Sequence, residues 1–568
     1  MKPVDWSLRA RPGRVRLVAF GIVAALVAGA CGGDDGGGDS ADDASVEEGV
    51  QEATGAIRDV SEQGEPVTGG SITMGLEAET TSWLPGEGQF ANSGVSVAYA
   101  IYDPLIKRDA NGELKPYLAE SMEPNEDLTQ WTLTLRPDIQ FHDGTPLNAE
   151  ALLSNFEQLS ADGAQTASAF DGVSMEVVDD LTVRYTLPAP DSAFPAVLAL
   201  APGWPYSPTA AAAAGADAGA NPVGTGPFVF ESWERDSRLV VRRNDNYWQE
   251  GLPYLDEIVF RPIPDEDTRM SSLTSGDIDG MMSLRQSNIV DLREAEGIDN
   301  YEQMGNSTGS NIFNTAEPPL DDVRVRRALA LATDQQQVIE VSGGAGVVPP
   351  ATQIFGPDDP YYSEQVAEDW IDYDPEAAQA EIQSYVDDPE RSDGRAPGDP
   401  VALRYDCLPD ASLVEVAQLY QALWSAIGVE VELRQVEQAT HVNEAVSGDY
   451  QAKCWRLGID GDPAAVMDSY YIEGSPQNFT RWSDPQVTEN IEAMKATTDL
   501  EERQRLAAEA MQIVNDNVVQ TYGGGTLGVV AVQEQVKNID GWTYPDGSEG
   551  GTATQGTVVW ANVWTTEG

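Results

Sequence analysis

From residue 69 onward the chain mixes short runs of alternating side chains with longer segments of helical spacing. Residues 70–76 (GSITMGL) set apolar side chains at every second position, the pattern of a half-buried strand. Residues 131–136 (WTLTLR), closed by Pro137, repeat it more strictly. Residues 177–187 alternate again, and 228–233, 239–243 and 257–262 predict further strands. Helices are predicted over 95–106 and over 149–159, the second capped by Asn148, and the alanine-rich run 210–220 predicts a helix followed by a loop. From about residue 321 the texture changes to α/β alternation. Helices at 323–332, 335–341 and 377–385 lead into strand 401–407, helix 413–427, strand 429–436, a short helix at 442–446 and strand 450–457. Such a βαβαβ run predicts a sheet with parallel neighbours. A long helix at 501–516 and late strands at 529–532 and 558–564 complete the pattern, which contains no internal repeat.

Length and charge narrow the class. The 568 residues, 41% of them hydrophobic, are ample for large cores and exclude wholesale disorder. Lys and Arg number 33 against 94 Asp and Glu, a formal charge of −61. A surface that acidic repels phosphate backbones, so neither nucleic acid nor an anionic lipid surface is expected as a partner. The acidity itself reads as solubility rather than as a site.

The first thirty residues differ from the rest. Lys2, Arg9, Arg11, Arg14 and Arg16 precede residues 17–30, which carry no charge. Fourteen residues are too few for a bilayer span of about 20, but they suit the apolar core of an export signal. The run ends Leu26-Val27-Ala28-Gly29-Ala30-Cys31, which resembles a bacterial lipobox, with Ala28 where that motif usually carries leucine. The expectation is cleavage before Cys31 and acylation of its thiol. A soluble export signal with an incidental cysteine is the alternative. Removal of residues 1–30 leaves 28 basic and 93 acidic residues, a charge of −65. Residues 31–66 hold eleven acids, one arginine and eight glycines, so a flexible acidic tether is expected. An acyl anchor followed by a tether places the body on the outer face of a membrane.

Catalytic and metal motifs are missing. There is no phosphate-binding Gly-Lys loop, no His-Glu-x-x-His and no Cys-x-x-Cys. Three cysteines and two histidines leave little for a metal cluster, so no metal, cofactor or catalytic residue is expected. His142, in the turn Phe141-His142-Asp143-Gly144-Thr145-Pro146, reads as structural, and His441, at the start of a predicted helix, as solvated. Cys407 and Cys454 both fall on predicted strands of the α/β half, in an oxidising compartment. We expect a disulfide between them, which requires adjacent strands; two buried thiols are the alternative.

Five blocks then resemble one family. Tyr117-Leu118-Ala119-Glu120-Ser121 runs into Trp131 and the Phe141 turn, and Pro222-Val223-Gly224-Thr225-Gly226-Pro227-Phe228 is followed by Asn246-Tyr247-Trp248. Leu273-Thr274-Ser275-Gly276-Asp277-Ile278-Asp279 is the third block. The fourth is Phe313-Asn314-Thr315 with Asp322-Val323-Arg324-Val325-Arg326-Arg327-Ala328-Leu329, and the fifth Ile427-Gly428-Val429 with Ser447-Gly448-Asp449-Tyr450. In this order, across about 67–568, they resemble the family 5 solute-binding proteins of ABC transporters, the oligopeptide, dipeptide and nickel binders. The resemblance implies an α/β, two-lobed periplasmic-binding-protein-like fold (type II, cluster C). Lobe I would be 67–311 with 526–568, lobe II 312–525, and an extra subdomain 106–222 would sit in lobe I. Two crossover strands would pass near 310–314 and 522–525. Arg324 and Arg326 would pair locally with acids.

By the same resemblance a ligand, most simply a short peptide, binds between the lobes and is delivered to ABC permease subunits by a monomeric protein. The acidic anchor for a peptide amine would lie in Trp455-Arg456-Leu457-Gly458-Ile459-Asp460-Gly461-Asp462-Pro463, where Asp460 and Asp462 compete and Asp460 is favoured. Asp462 also suits a cap before Pro463. Trp455 and Arg456 would line the cleft, Arg456 offering a fork for a carboxylate. From lobe I, Trp204 and the segment with Trp83, Phe90 and Asn92 would contribute. Alternatives are the same fold binding a sugar, an opine or a metal chelate, a surface receptor that signals through a partner, and an anchored hydrolase, for which no nucleophile–base pair stands out.

Overall fold

The computed structural model describes residues 63–566, apart from 89, 91, 110–112, 162–163, 358, 410, 459–460 and 551–556. The export signal, Cys31 and the tether up to residue 62 therefore lie outside the described residues. Among the described residues, ten strands form one sheet. In chain order they are β1 (Ser71–Leu76), β2 (Phe228–Glu234), β3 (Arg238–Arg243), β4 (Glu257–Pro262), β5 (Gly280–Ser283), β6 (Ile298–Phe313), β7 (Val401–Cys407), β8 (Val429–Gln435), β9 (Ala452–Gly458) and β10 (Gln520–Gln533). Their order across the sheet is β8-β7-β9-β6-β10-β5-β1-β4-β3-β2.

Two hydrophobic cores sit on this sheet. The first is built from β1–β5 and the segments around them, with Ile72, Leu133, Phe260 and Trp560 buried together. The second gathers Phe313, Val325, Leu403, Tyr405, Trp424 and Met511. β7 runs parallel to both β8 and β9, the pairing that the βαβαβ pattern requires. β1 is parallel to β4 and β5, while β2 and β3 add an antiparallel edge. Beside the first core lies a four-stranded antiparallel sheet, ordered 119–124, 130–135, 182–186, 174–177. Its strand Gln130–Leu135 buries Trp131, Leu133 and Leu135 as the alternation predicts. Helix Ala149–Leu159 packs against it, and Asn148 caps that helix by accepting the Ala151 N–H at 2.9 Å.

Several elements differ from the pattern reading. The helix predicted over 95–106 is α1 (Asn92–Ile101); it stops before Asp103-Pro104, because proline disfavours helical backbone in the residue ahead of it. The run 177–187 is a hairpin of Ser174–Val177 and Thr182–Thr186. The short helix at 442–446 is α2, Gln438–Ser447. Residues 558–564 form a single turn, Trp560–Asn562, followed by the two-residue strand Trp564–Thr565. The strand at 529–532 is the tail of the fourteen-residue β10, and its sixteen-residue partner β6 has no alternation to announce it. Arg324 pairs with Asp322 and Asp388. Arg326 instead donates to the carbonyls of Leu320, Asn517 and Val518, because the end of a neighbouring helix leaves acceptors unpaired there.

His142 is structural. Its Nε2 lies 3.0 Å from the Gly226 carbonyl, a pairing that requires the N–H on Nε2, and its Nδ1 is buried without a partner. Burial lowers its pKa from 6.5 to about 4. The unfolded chain therefore binds a proton at this ring between pH 6.5 and 4 that the folded chain refuses. The stabilisation is full above pH 6.5 and lost as pH falls toward 4. Asp103, raised to about 6 by burial, runs the opposite way: its contribution is lost as pH rises through 6. Replacing His142 with Gln is expected to flatten the loss of unfolding free energy between pH 7 and 4.5 by up to about 3 kcal/mol relative to wild type, at about 1.4 kcal/mol per pKa unit. Urea titrations across that range check it.

Candidate functional site

The centre of the molecule is the antiparallel pair β6–β10. Its regular register from Ile298↔Gln533 to Gly305↔Thr526 slips twice, at Gly305/Thr308 and at Thr308/Ser310, before resuming to Ile312↔Gln520. Through this stretch side chains brace the backbone. Ser310 Oγ donates to Thr521 O at 2.7 Å, Thr308 Oγ1 donates to Gly524 O at 3.2 Å, and Ser307 Oγ meets Thr526 Oγ1 at 2.8 Å. Gly524 has no room for a side chain, since a Cβ there would lie 2.9 Å from Val348 Cγ2 and 3.1 Å from Ile339 Cγ1.

β9 lies against this stretch. Trp455 is opposite Ser310, Arg456 opposite Gly309 and Gly458 opposite Ser307. Arg456 is exposed and Trp455 half-buried. Trp455 is wedged between Phe479, edge-on at 5.0 Å, and the ring of His441, stacked at 5.5 Å. His441 is thus not solvated. α2 begins four residues earlier than the pattern indicates, which turns His441 inward, and its Nε2 lies 3.0 Å from the Cys454 carbonyl. Burial, then the neighbouring Lys453 ammonium, lowers its pKa. Lys453 is itself buried, 3.0 Å from Glu444 and 3.6 Å from Asp406, and Arg434 clasps both of those acids. Cys407 and Cys454, on the paired strands β7 and β9, are joined as a disulfide with Cα atoms 5.1 Å apart.

Beyond β9 the chain turns through a loop into α3 (Pro463–Tyr471). The Tyr470 hydroxyl donates to Gly458 O at 2.7 Å and accepts from Gly458 N at 3.3 Å. Asp460 lies outside the described residues. Asp462 is 7% exposed and fully engaged. Its Oδ1 accepts the Ala464 N–H at 2.8 Å as the cap of α3, and Arg503 Nη2 reaches both oxygens at 2.5 Å. Aspartate just ahead of a proline at the first helical position is a favoured cap, and here the cap bond and the Arg503 pair take up Asp462. Burial works against the charged Arg503 guanidinium, but Asp462 and Tyr361 together outweigh it and the pKa stays above the usual value.

The first-core candidates divide. Trp83 and Trp204 are buried, 1% and 2% exposed, within an aromatic cluster, so they are core side chains rather than an open pocket wall. Phe90 is half-buried and covers both, its ring 6.2 Å from Trp83 and 5.5 Å from Trp204. Asn92 opens α1 and is also half-buried. Large indoles in a sequence written around Pro-Gly-Trp-Pro carry no sign of which face they pack on, and here the cluster absorbs them. Three residues that the sequence reading passed over meet around Gly461 and Asp462: Arg108 bonds Gly461, Arg503 bonds Asp462, and Ser192 bonds Arg503. Each is an ordinary polar residue in its local run, with no motif around it.

The chemistry on offer is recognition. The two histidines meet carbonyls and Lys453, not a hydroxyl or thiol nucleophile. Among the described residues no group of three or more His, Cys, Asp or Glu is placed to hold a metal ion. Two α/β cores joined by a pair of long strands, with an exposed guanidinium and an aromatic wall beside the crossing, define a two-lobed solute-binding protein. The chain matches bacterial extracellular solute-binding proteins, family 5, over residues 113–478, and it belongs to that family. It is therefore an extracytoplasmic binding protein rather than an enzyme. It is similar to the glutathione-binding protein GsiB of Salmonella typhimurium strain LT2, with 27% identity over 432 residues, 74% of this chain and 82% of that protein. The protein of the same name from Shigella flexneri is 32% identical over 265 residues, 46% of this chain and 52% of its own. Among solved structures, the PBP AgaA in complex with agropinic acid (A. tumefaciens R10) superposes with a TM-score of 0.73 at 24% identity, covering 88% of this chain and 99% of that one. DppA from Helicobacter pylori in complex with the peptide STSA gives 0.72 at 21%, covering 88% and 99%. These two likenesses carry the fold.

Replacing Asp462 with Ala removes a cap and strands the buried Arg503 charge, so it is expected to cost about 3–5 kcal/mol of unfolding free energy. Replacing the exposed Arg456 with Ala is expected to cost less than about 0.5 kcal/mol. Chemical denaturation of the two variants beside wild type measures both.

Proposed function

We propose that this protein captures a short peptide in a cleft between its lobes and delivers it to an ABC importer. The reading assigns lobe I to 67–311 and 526–568, lobe II to 312–525 and the extra subdomain to 106–222, with the slipped segment of β6–β10 as the hinge. The observation that carries it is the placement of Trp455 and Arg456 directly opposite that segment, where a bound ligand would touch both lobes. Contact with both lobes is what favours closure, since a ligand that binds open and closed forms equally shifts nothing. An extended peptide would pair in strand fashion, with side chains on alternate sides. Arg456 would take a ligand carboxylate. The engagement of Asp462 by Arg503 supports Asp460 as the acid that holds the peptide amine. Phe90 and Asn92 would face the ligand from lobe I, with Trp83 and Trp204 as the packed support behind Phe90. The name of the Salmonella relative supports a small peptide, and glutathione itself belongs among the ligands to test. Acylation of Cys31 and the acidic tether would hold the monomer near its permease.

Native mass spectrometry of the gently purified mature chain, followed by ligand release, is expected to give one or more peptide masses. Replacing Asp460 with Ala is expected to weaken calorimetric binding of a bound peptide, or of glutathione, at least tenfold. A single non-peptide mass would turn the reading to another solute of the same fold.

A further inference from the structure

The two lobes assigned above are held together by contacts that use no ligand. Ser192, in the segment before the helix Phe194–Val197 on the first core, is 7% exposed because it is inserted into the second. Its backbone N–H donates to Lys495 O at 2.8 Å and its Oγ donates to Met494 O at 3.0 Å. Those are carbonyls in the last turn of α4 (Pro485–Lys495), where helices leave acceptors unpaired. The same Oγ accepts from Arg503 Nη1 at 2.7 Å, in the first turn of α5 (Leu500–Asp516). The other arm of Arg503 clamps Asp462, one residue from Gly461. The Gly461 carbonyl in turn accepts from Arg108 Nη2 at 2.8 Å, and Arg108 belongs to the first-core strand Ile106–Arg108. Each of these bonds from Arg108 and Ser192 joins residues more than 300 positions apart in the chain. Together they tie Gly461 and Asp462 to both cores.

We propose that Arg108, Ser192 and Arg503 form a protein-only latch that populates the closed conformation before ligand arrives and so sets ligand affinity. The inference rests on the two-lobed reading but not on the identity of the ligand. Apparent affinity scales with the fraction of molecules already in the binding-competent form. A net hydrogen bond is worth about a fivefold factor in such an equilibrium. The latch residues act as positioning residues: they hold Gly461, Asp462 and the lobes, and none of them needs to touch the solute.

Small-angle X-ray scattering of the ligand-free mature chain tests this without a ligand. Wild type is expected to be more compact than the double variant Arg108→Ala/Ser192→Ala, by about 1 Å in radius of gyration for lobe opening at unchanged fold. Ser192→Thr, which keeps the hydroxyl, is expected to restore the compact form in the Arg108 wild-type background, where Ser192→Ala does not. Identical scattering of wild type and double variant, with circular dichroism showing both folded, would overturn the latch. If the double variant does not fold, the single Ser192→Ala decides by the same comparison. In a second arm glutathione and tetra-alanine are titrated calorimetrically, and a probe that binds wild type is expected to bind the double variant about five- to twenty-fold more weakly, chiefly through faster release. Equal affinity with unequal scattering would reject the affinity role. Failure of both probes on wild type would count against the peptide reading alone, since the scattering comparison stands without them.

Discussion

The antiparallel pairing of β6 with β10 is the interaction on which the rest of the structure depends. Among the described residues the sheet passes from one core to the other through this pair. β9 hangs from its far side and β5 from its near side, so the strand that carries Trp455 and Arg456 is placed by β6. A sheet is stiff where its ladder is regular and yields where the register slips, because a slip leaves a residue unpaired and bends the strand. Both slips of this pair fall within Gly305–Ser310, opposite a run of three glycines at 523–525. The backbone there approaches Val348 and Ile339 too closely for a side chain at Gly524. Continuity of the sheet and irregularity of its register are thus combined in one short segment.

The scarcity of cations gives each of them weight. With 33 basic residues among 94 acids, most surface acids have no partner to choose, and exposed pairs contribute little in any case. The cations that matter are the buried ones. Lys453 is packed behind Trp455 between Glu444 and Asp406, and the disulfide follows at the next position along the same two strands. Removing one partner from such a cluster leaves a charge in a poorly solvated place, which costs far more than the pair gains. The wall behind the candidate binding strand is therefore rigid, whereas Arg456 on its open side is free of that network. Arg503 has the same logic, since its two arms bind Asp462 and Ser192.

Much of the architecture was legible from side-chain order. Alternation located most strands, the Asn148 cap was read correctly, and the α/β run at 401–457 required the parallel pairing of β7 with β8 and β9. The family was legible as well, because glycines, prolines and turn acids recur in a fixed order wherever the same backbone bends. The site was less so. Asp462 reads equally well as an anchor and as a cap, and only the arrival of Arg503 from 41 residues away distinguishes the two. Trp83 and Trp204 were candidates for the cleft and are buried in the first core cluster, since an indole looks the same in sequence whichever face it packs against.

What the sequence determined by itself was local: which segments are strands and helices, where they are capped, that the chain is an extracytoplasmic binder, and that it carries no catalytic constellation to see. These follow from interactions between residues a few positions apart and from motifs that local geometry imposes. What only the tertiary structure decided was long-range. β6 gave no alternating signal because it lies between two other strands, where Ser307, Thr308, Ser310 and Asn311 are buried and bonded across the pair, so neither face is written as apolar. The inward turn of His441, the commitment of Asp462 and the meeting of Arg108 with Gly461 likewise depend on chain segments brought together by the cores, and no run of neighbouring residues encodes that contact.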